Sequence, residues 1–479
     1  MSTAVSSGAG KSGPDFGQVD PLAARRVLTF CVLAALGGLM CGMDIGVISG
    51  VLKPFGIQFN VSNFGKEWVV AAMLAGAFVG ALTGGFFCQK IGRKSTLTLA
   101  AGAFGLGALF CAMSWSLGSM VCGRFVVGLG LGLASFTAPL YLSEIAPADK
   151  RGTMGTLWQL MITLGIFLTF FTNGWISGVA TSEHSWRFML LVEAVPALVF
   201  CVLFFFLPRS PRWLLMKGRW EEALAGLTLL RDTPQQAEKE LQAIRTQLQA
   251  KQEGFSLFRD NPNFRRSVML GMLLMIIQQF AGINIIMYYA PKVLEEAHFS
   301  PAGQMWGTAL IGFVNFVMTF VAVLYSDRLG RKPLLYMGFG GMAISMGLLA
   351  FLLSLPTESH FDQMAILVLI IIFVGAFAMS VGPLPWVICS EIQPAKGRNF
   401  GMTVSTATNM CCNFLIGLTF LSILEALGPS NTFWLFTGFN VAAIILVYFF
   451  VPETKDVPME KLDERLMRGV RLRDLGRAD

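Results

Sequence analysis

Apolar residues run along this chain in twelve long stretches, centred near 27–52, 67–89, 95–115, 118–142, 153–177, 187–207, 267–291, 304–326, 333–354, 363–389, 400–426 and 432–451. Crossing the hydrocarbon of a bilayer takes about twenty residues as a helix. A backbone in lipid must satisfy its own hydrogen bonds, and stretches this long do so as helices rather than barrel strands. The expected fold class is an all-α membrane protein with twelve transmembrane helices. One polar segment, 209–262, interrupts the series, and its apolar residues recur at helical spacing, as in Trp220-Glu221-Glu222-Ala223-Leu224. It predicts a cytoplasmic helical linker.

The pattern also repeats. Gly92-Arg93-Lys94 recurs as Gly330-Arg331-Lys332, and Ser143-Glu144-Ile145-Ala146-Pro147 recurs as Ser390-Glu391-Ile392-Gln393-Pro394, both offset by about 240 residues. Two parallel six-helix halves follow, with a solute site expected near the midplane between them. The expected organisation is a disordered N-terminal tail (1–24), an N-terminal half (25–208), the linker (209–262), a C-terminal half (263–452) and a C-terminal tail (453–479). The polar, Ser/Gly-rich start is not a secretory signal, because the apolar run after Arg25-Arg26 is too long and lacks a small-residue cleavage site.

Composition agrees. Of 479 residues 54% are hydrophobic and 14% charged, and mean hydropathy is +0.63, whereas a soluble domain carries about 25% charged residues. The net charge of +7 is no nucleic-acid signal, since Lys and Arg gather on alternate loops. That bias places both termini in the cytoplasm. The nine cysteines lie in or at the ends of apolar stretches and lack metal-ligand spacing; they are expected to be small packing residues. The three histidines, His184, His298 and His360, fall in outer loops. No phosphate loop, metal set, or nucleophile with its base is present, so neither an enzyme, a metal nor a cofactor is expected.

Charge inside the stretches changes the picture most. Asp44 and Arg124 sit within the first and fourth, Glu193 within the sixth. Buried charges in hydrocarbon cost several kcal/mol and usually line a pathway. Counted from the outer helix ends at about 1.5 Å per residue, Asp44 and Arg124 lie within roughly 4 Å of the same depth. A pair that one proton can make or break is the mark of a proton-coupled carrier. With no histidine left in the bundle, a carboxylate must hold the proton, and Asp44 is the candidate, with Glu193 a possible relay. A permanent structural salt bridge is the alternative.

Together with Pro208-Arg209-Ser210-Pro211-Arg212, Gln278-Gln279-x-x-Gly282-x-Asn284 and Pro452-Glu453-Thr454-Lys455, these motifs resemble the sugar porter family of the major facilitator superfamily across roughly 25–456. The resemblance is greatest to bacterial sugar–proton symporters. It implies the major facilitator fold and alternating-access import of a monosaccharide, hexose or pentose, with protons. It further implies sugar contacts at Gln159, Gln278, Gln279, Asn284, Asn315, Gly382, Trp386 and Asn409. Side-chain amides both donate and accept, as a ring of sugar hydroxyls requires; the bland reading of any one amide is an interhelical hydrogen bond. Gly282 is expected to loosen its helix, and Gly382-Pro383-Leu384-Pro385 to be irregular. Arg93, Glu144, Arg151, Arg331, Glu391 and Arg398 are expected to form a gate of salt bridges at the cytoplasmic mouth. Arg209 reverses the charge the family usually has there, Gln89 replaces an acid, Phe280-Ala281 replaces a common Leu-Ser, and Met410 stands where many members have Trp. A facilitative uniporter and a proton-coupled polyol or inositol carrier remain open on the residues alone. A monomer in the cytoplasmic membrane of a bacterium is expected, with no nucleic-acid partner.

Overall fold

The structure, a computed structural model, describes residues 21–147, 151–179, 184–249, 254–355, 359–394, 396–455, 457 and 459–476. The expected N-terminal tail lies outside them up to residue 20, and the first helix begins at Pro21, four residues before the expected boundary. The N-terminal half comprises α1 (Pro21–Gln58), α2 (Asn63–Lys90), α3 (Arg93–Ala112), α4 (Leu117–Ile145), α5 (Arg151–Val179) and α6 (Ser185–Phe204). Four short helices form the linker: α7 (Pro211–Met216), α8 (Trp220–Thr228), α9 (Pro234–Gln249) and α10 (Phe255–Asp260). The C-terminal half comprises α11 (Pro262–Phe280), α12 (Ile283–Glu296), α13 (Pro301–Leu329), α14 (Arg331–Leu352), α15 (His360–Ala376), α16 (Leu384–Ile392) and α17 (Arg398–Phe450), followed by α18 (Met459–Met467).

Among the described residues, eleven helical segments are long and apolar enough to cross a membrane, yet the fold has twelve crossings. The difference is α17. Its 53 residues would extend about 80 Å as one rod, more than twice the hydrocarbon thickness of about 30 Å. Gly428 breaks it at φ +76°, with Pro429 behind it, and yields the eleventh and twelfth spans. Two other spans are broken near mid-depth: α11 and α12 meet at Gly282 (φ +97°), and α15 and α16 are joined by a π-helical turn over Phe377–Val381.

The internal repeat reaches the backbone. Gly92 and Gly330 open α3 and α14 at the same φ of +88°, with ψ of 161° and 160°. Only glycine holds that conformation without cost, which explains why the repeat begins with Gly in both halves.

Small residues set the packing inside each half. Gly38, Gly42, Gly46 and Gly50 form a stripe along α1 facing α5: a Cβ on Gly42 would stand 1.9 Å from the Ile162 carbonyl oxygen, and one on Gly50 2.7 Å from Asn173 Nδ2. Between α2 and α4, a Cβ on Gly128 would stand 2.0 Å from the Met73 carbonyl and one on Gly132 2.1 Å from that of Ala77. Without a hydrophobic drive between helices in lipid, such backbone approach is what holds them together. The two halves meet through α2 with α17, and through α5 with α13, where Phe167 stands 5.4 Å from Phe313 and Phe171 5.6 Å from Trp306.

The linker is a docked domain with its own core of Trp213, Leu214, Ala223, Leu227, Ala237 and Leu241. Arg231 pairs with Glu240 and donates Nη1 to the Ile145 carbonyl at 3.1 Å, fastening the linker to the end of α4. One expectation fails in part: Cys122 and Cys411 are exposed on helix faces turned away from the protein, so they fill no space in the core. Gly42→Ala is expected to destabilise the protein by about 2 kcal/mol, since the added methyl overpacks a backbone contact. The control Gly178→Ala, where nothing lies within 4 Å of the new methyl, is expected to be neutral in Tm measurements on the purified protein.

Candidate functional site

Two polar constellations occupy the bundle, one in each half. In the N-terminal half Asp44 of α1 and Arg124 of α4 are fully buried. Arg124 Nη1 donates to Asp44 Oδ1, Nη2 donates to Oδ2 at 3.1 Å, and Nε donates to the Val69 carbonyl of α2 at 3.2 Å. The fork satisfies both carboxylate oxygens, as a buried pair must to offset its desolvation. α1 continues to Gln58 rather than stopping near 52, so Asp44 lies further from its outer helix end than the hydropathy pattern predicts, and the two residues pair all the same.

Glu193 of α6 is buried, within electrostatic reach of both Asp44 and Arg124. Neither of its carboxylate oxygens has a hydrogen-bond partner. An ionised carboxylate left unpaired there is costly, and the side chain within hydrogen-bonding reach of Glu193 is the Asp44 carboxylate itself, so the two acids can bond only through a shared proton. Asn173, absent from the sequence reading, supports the same region by donating Nδ2 to the Gly46 carbonyl of α1 at 3.0 Å. An amide within the fifth span was the available signal for it.

In the C-terminal half four amides form one directed chain. Pro385 has no N–H, which leaves the Val381 carbonyl without its helical donor. Gln278 Nε2 fills that gap at 3.0 Å and also reaches the Gly382 carbonyl at 2.8 Å. Asn409 Nδ2 donates to Gln278 Oε1 at 2.8 Å, Gln279 Nε2 to Asn409 Oδ1 at 3.1 Å, and Asn284 Nδ2 to Gln279 Oε1 at 2.5 Å. Broken helices supply the geometry. The Gly282 turn places Gln279 and Asn284 beside each other, and the π-turn turns backbone carbonyls toward Gln278, the role π-turns often have at functional sites. Asn440 buttresses the break by donating to the Ala281 carbonyl at 3.1 Å.

The other expected sugar-contact residues stand apart from this chain. Asn315 is buried on α13, while Gln159 on α5 and Trp386 on α16 are half-buried. Tyr288 and Tyr289 follow Asn284 on α12; Tyr289 donates to the Gly417 carbonyl at 3.0 Å.

At the face carrying the linker, the expected gate residues form two matching clusters. Arg93 Nε and Nη2 grip Glu144 at 2.9 and 2.7 Å, and Ser210 Oγ donates to the same carboxylate at 2.5 Å. Arg331 Nη2 reaches Glu391 at 3.1 Å, and Thr454 Oγ1 donates to it at 2.5 Å. Each of these arginine–glutamate contacts lies within one half. Each arginine opens the third span of its half and each glutamate closes the fourth, so antiparallel neighbours bring their ends together. Arg398 donates Nε to the Gln393 carbonyl at 3.4 Å, also within its half; the Arg151 side chain lies outside the described residues.

Arg209 marks where the repeat breaks. Its counterpart Glu453 accepts from the backbone N–H groups of Arg331 and Lys332 at 3.0 and 2.9 Å, capping α14. In the N-terminal half α3 has no side-chain cap, and Arg209 lies over the Trp213 ring at 5.9 Å. The Arg93–Glu144 cluster forms regardless.

At the opposite face, polar contacts do cross between halves. Lys53 of α1 pairs with Glu295 of α12 at 2.9 Å, Asn63 donates to Glu425 at 3.0 Å, and Glu67 accepts from Ser422. Beside them lies a half-open cavity of about 480 Å³ lined by Ser49, Lys53, Lys66, Tyr288, Tyr289 and Glu295 among others.

The chain matches the family described as "Sugar (and other) transporter" over residues 30–466. It is 46% identical over 459 residues to the galactose-proton symporter of Escherichia coli K12, covering 95% of this chain and 98% of that protein. To the arabinose-proton symporter of the same organism it is 43% identical, covering 94% and 96%. Among solved structures it is similar to the partially occluded inward-open conformation of the xylose transporter XylE from E. coli, with TM-score 0.78 and 30% identity, covering 90% of this chain and 99% of that one. Arg209→Glu, which restores the missing acid at the α3 N-terminus, is expected to stabilise the protein by about 1 kcal/mol, read as a rise in Tm.

Proposed function

This chain belongs to the sugar transporter family, and we propose that it imports a monosaccharide, hexose or pentose, together with protons by alternating access. It is a multi-pass membrane transporter and not an enzyme. The observation that carries the reading is the buried Asp44–Arg124 fork with the unpaired Glu193 beside it. A uniporter has no use for a carboxylate kept in hydrocarbon at such cost, whereas a symporter needs one that a single proton can neutralise. The linker face is the cytoplasmic side of a bacterial inner membrane, both termini lie there, and the monomer is the working unit.

On this reading the cross-half contacts at the far face describe a state closed to the outside. Asp44 is then ionised and held by Arg124. When the carrier opens outward, a proton arriving at Asp44 removes the charge that the fork neutralises, and Arg124 turns toward Glu193, which lies within its electrostatic reach. Sugar enters with the proton, the outer side closes, and loss of both to the cytoplasm restores the fork. Asp44→Asn is expected to abolish uphill accumulation and sugar-induced alkalinisation of a weakly buffered vesicle suspension while sparing sugar exchange. Accumulation that survives this change would remove Asp44 from the coupling role.

Sugar recognition belongs to the amide chain. The members of the chain satisfy one another, so a sugar must exchange hydroxyls for existing bonds and its net gain per contact is modest. Gly382 contributes its carbonyl, and Trp386, Gln159 and Asn315 supply further contacts from facing helices. Asn409→Ala, which cuts the chain in the middle, is expected to weaken sugar affinity about tenfold or more, by the loss of two buried hydrogen bonds. Competition of labelled uptake by glucose, galactose, xylose and arabinose measures that loss and ranks the substrates.

A further inference from the structure

Glu67 is the fifth residue of α2 and is completely buried, yet it belongs neither to the coupling fork nor to the amide chain. Its two carboxylate oxygens are both used, and by one residue of the other half: Oε1 accepts the backbone N–H of Ser422 at 2.7 Å and Oε2 accepts Ser422 Oγ–H at 2.7 Å. Ser422 lies six residues before the Gly428 break that ends the eleventh span. Both partners are therefore within about 10 Å of the far-face ends of their helices. No opening of that face is possible without parting α2 from α17 there.

We propose that Glu67 is the latch of the outer gate, a positioning residue that holds the outward side closed by clamping Ser422. The inference rests on the alternating-access reading above. Three observations favour Glu67 over the other cross-half contacts as the controlling one. Lys53 and Glu295 are 42% and 36% exposed, and the Asn63–Glu425 bond is likewise exposed; water and salt weaken such pairs until little remains. The Glu67 carboxylate is itself completely buried although Ser422 is exposed, so its two bonds are shielded from water more than those of either other pair. It also grips a main-chain N–H, so it senses the position of the α17 backbone rather than that of a flexible side chain. Tyr289 of α12, within electrostatic reach of Glu67, continues the same seal.

The latch is self-limiting. Opening exposes the carboxylate to water, which replaces the lost bonds, so the closed state is favoured without being locked. The test measures the width of the outer mouth by electron–electron double resonance between labels at Ile57→Cys and Leu427→Cys, which are exposed positions on opposite halves. Cys122, Cys201 and Cys411, the cysteines that are not buried, are first replaced by serine. Glu67→Ala is expected to raise the ratio of wide to narrow distances about tenfold or more, and Ser422→Ala, which leaves the backbone bond, about threefold. Glu67→Gln, which keeps an acceptor for the N–H, is expected to fall between Ser422→Ala and Glu67→Ala. Distances unchanged in all three variants overturn the latch. If Glu67→Ala does not fold, the ordered pair of Ser422→Ala and Glu67→Gln decides. Sugar accumulation by the labelled parent tests the transport reading separately: its absence counts against that reading, while the distance ratios still judge the latch.

Discussion

A guanidinium and a carboxylate held in a two-pronged fork at the centre of a hydrocarbon-solvated bundle are what the rest of this molecule is arranged around. Such a pair is tolerable only while both partners are in place, since removing one leaves an uncompensated buried charge and costs about 3–5 kcal/mol. Its geometry is not set by the two side chains. Asp44 is positioned because α1 lies backbone to backbone against α5 along its glycine stripe, and Arg124 because α4 approaches α2 through Gly128 and Gly132. The Val69 carbonyl gives Arg124 one fixed anchor independent of Asp44. The guanidinium thus has somewhere to stay when the carboxylate is neutralised. On the proposed function, that anchor is what would let the pair act as a switch rather than as a structural salt bridge.

The two halves divide the chemistry while repeating the scaffold. The ionisable groups of the core sit in the N-terminal half, the amides mostly in the C-terminal half, and the clusters around Glu144 and Glu391 are near copies of one another. Those clusters tie the third and fourth spans of each half to one another. Rocking of one half against the other needs reversible links across the interface, and the polar contacts on the far face cross it.

Hydropathy made the twelve spans legible because length in lipid is a constraint that acts on each segment alone. The repeat was legible because Gly-Arg-Lys and Ser-Glu-Ile recur with their loops, and the same glycine conformation in both copies shows why. Asp44, Arg124 and Glu193 announced themselves as charges where charge is expensive. The pairing of the gate residues within each half was not legible, since loop position fixes which face a residue lies on but not which neighbour it meets. Glu67 stood in view as an acid at the edge of a predicted span, but its significance depends on Ser422, some 350 residues away. The π-turn at Phe377–Val381 was foreshadowed only as an irregularity by the prolines that follow it. Two cysteines on outward faces show the limit of reading packing from residue type.

Coupling between the halves requires an element that joins the amide chain to the helix carrying Asp44, and α12 meets that requirement. It begins at the Gly282 break, carries Asn284 of the amide chain in its first turn, and near its end carries Glu295, which pairs with Lys53 on α1, nine residues beyond Asp44. Between them Tyr288 shares a hydrogen bond with Asn413, and Tyr289 holds the Gly417 carbonyl. The helix has only 14 residues and is kinked again at Tyr289 before Pro291. A short segment with a glycine joint at one end and an ion pair to the helix of Asp44 at the other transmits displacement well and resists it poorly. On the proposed function, filling the amide site and discharging Asp44 act on opposite ends of one small lever, and neither half needs to deform for the two events to depend on each other.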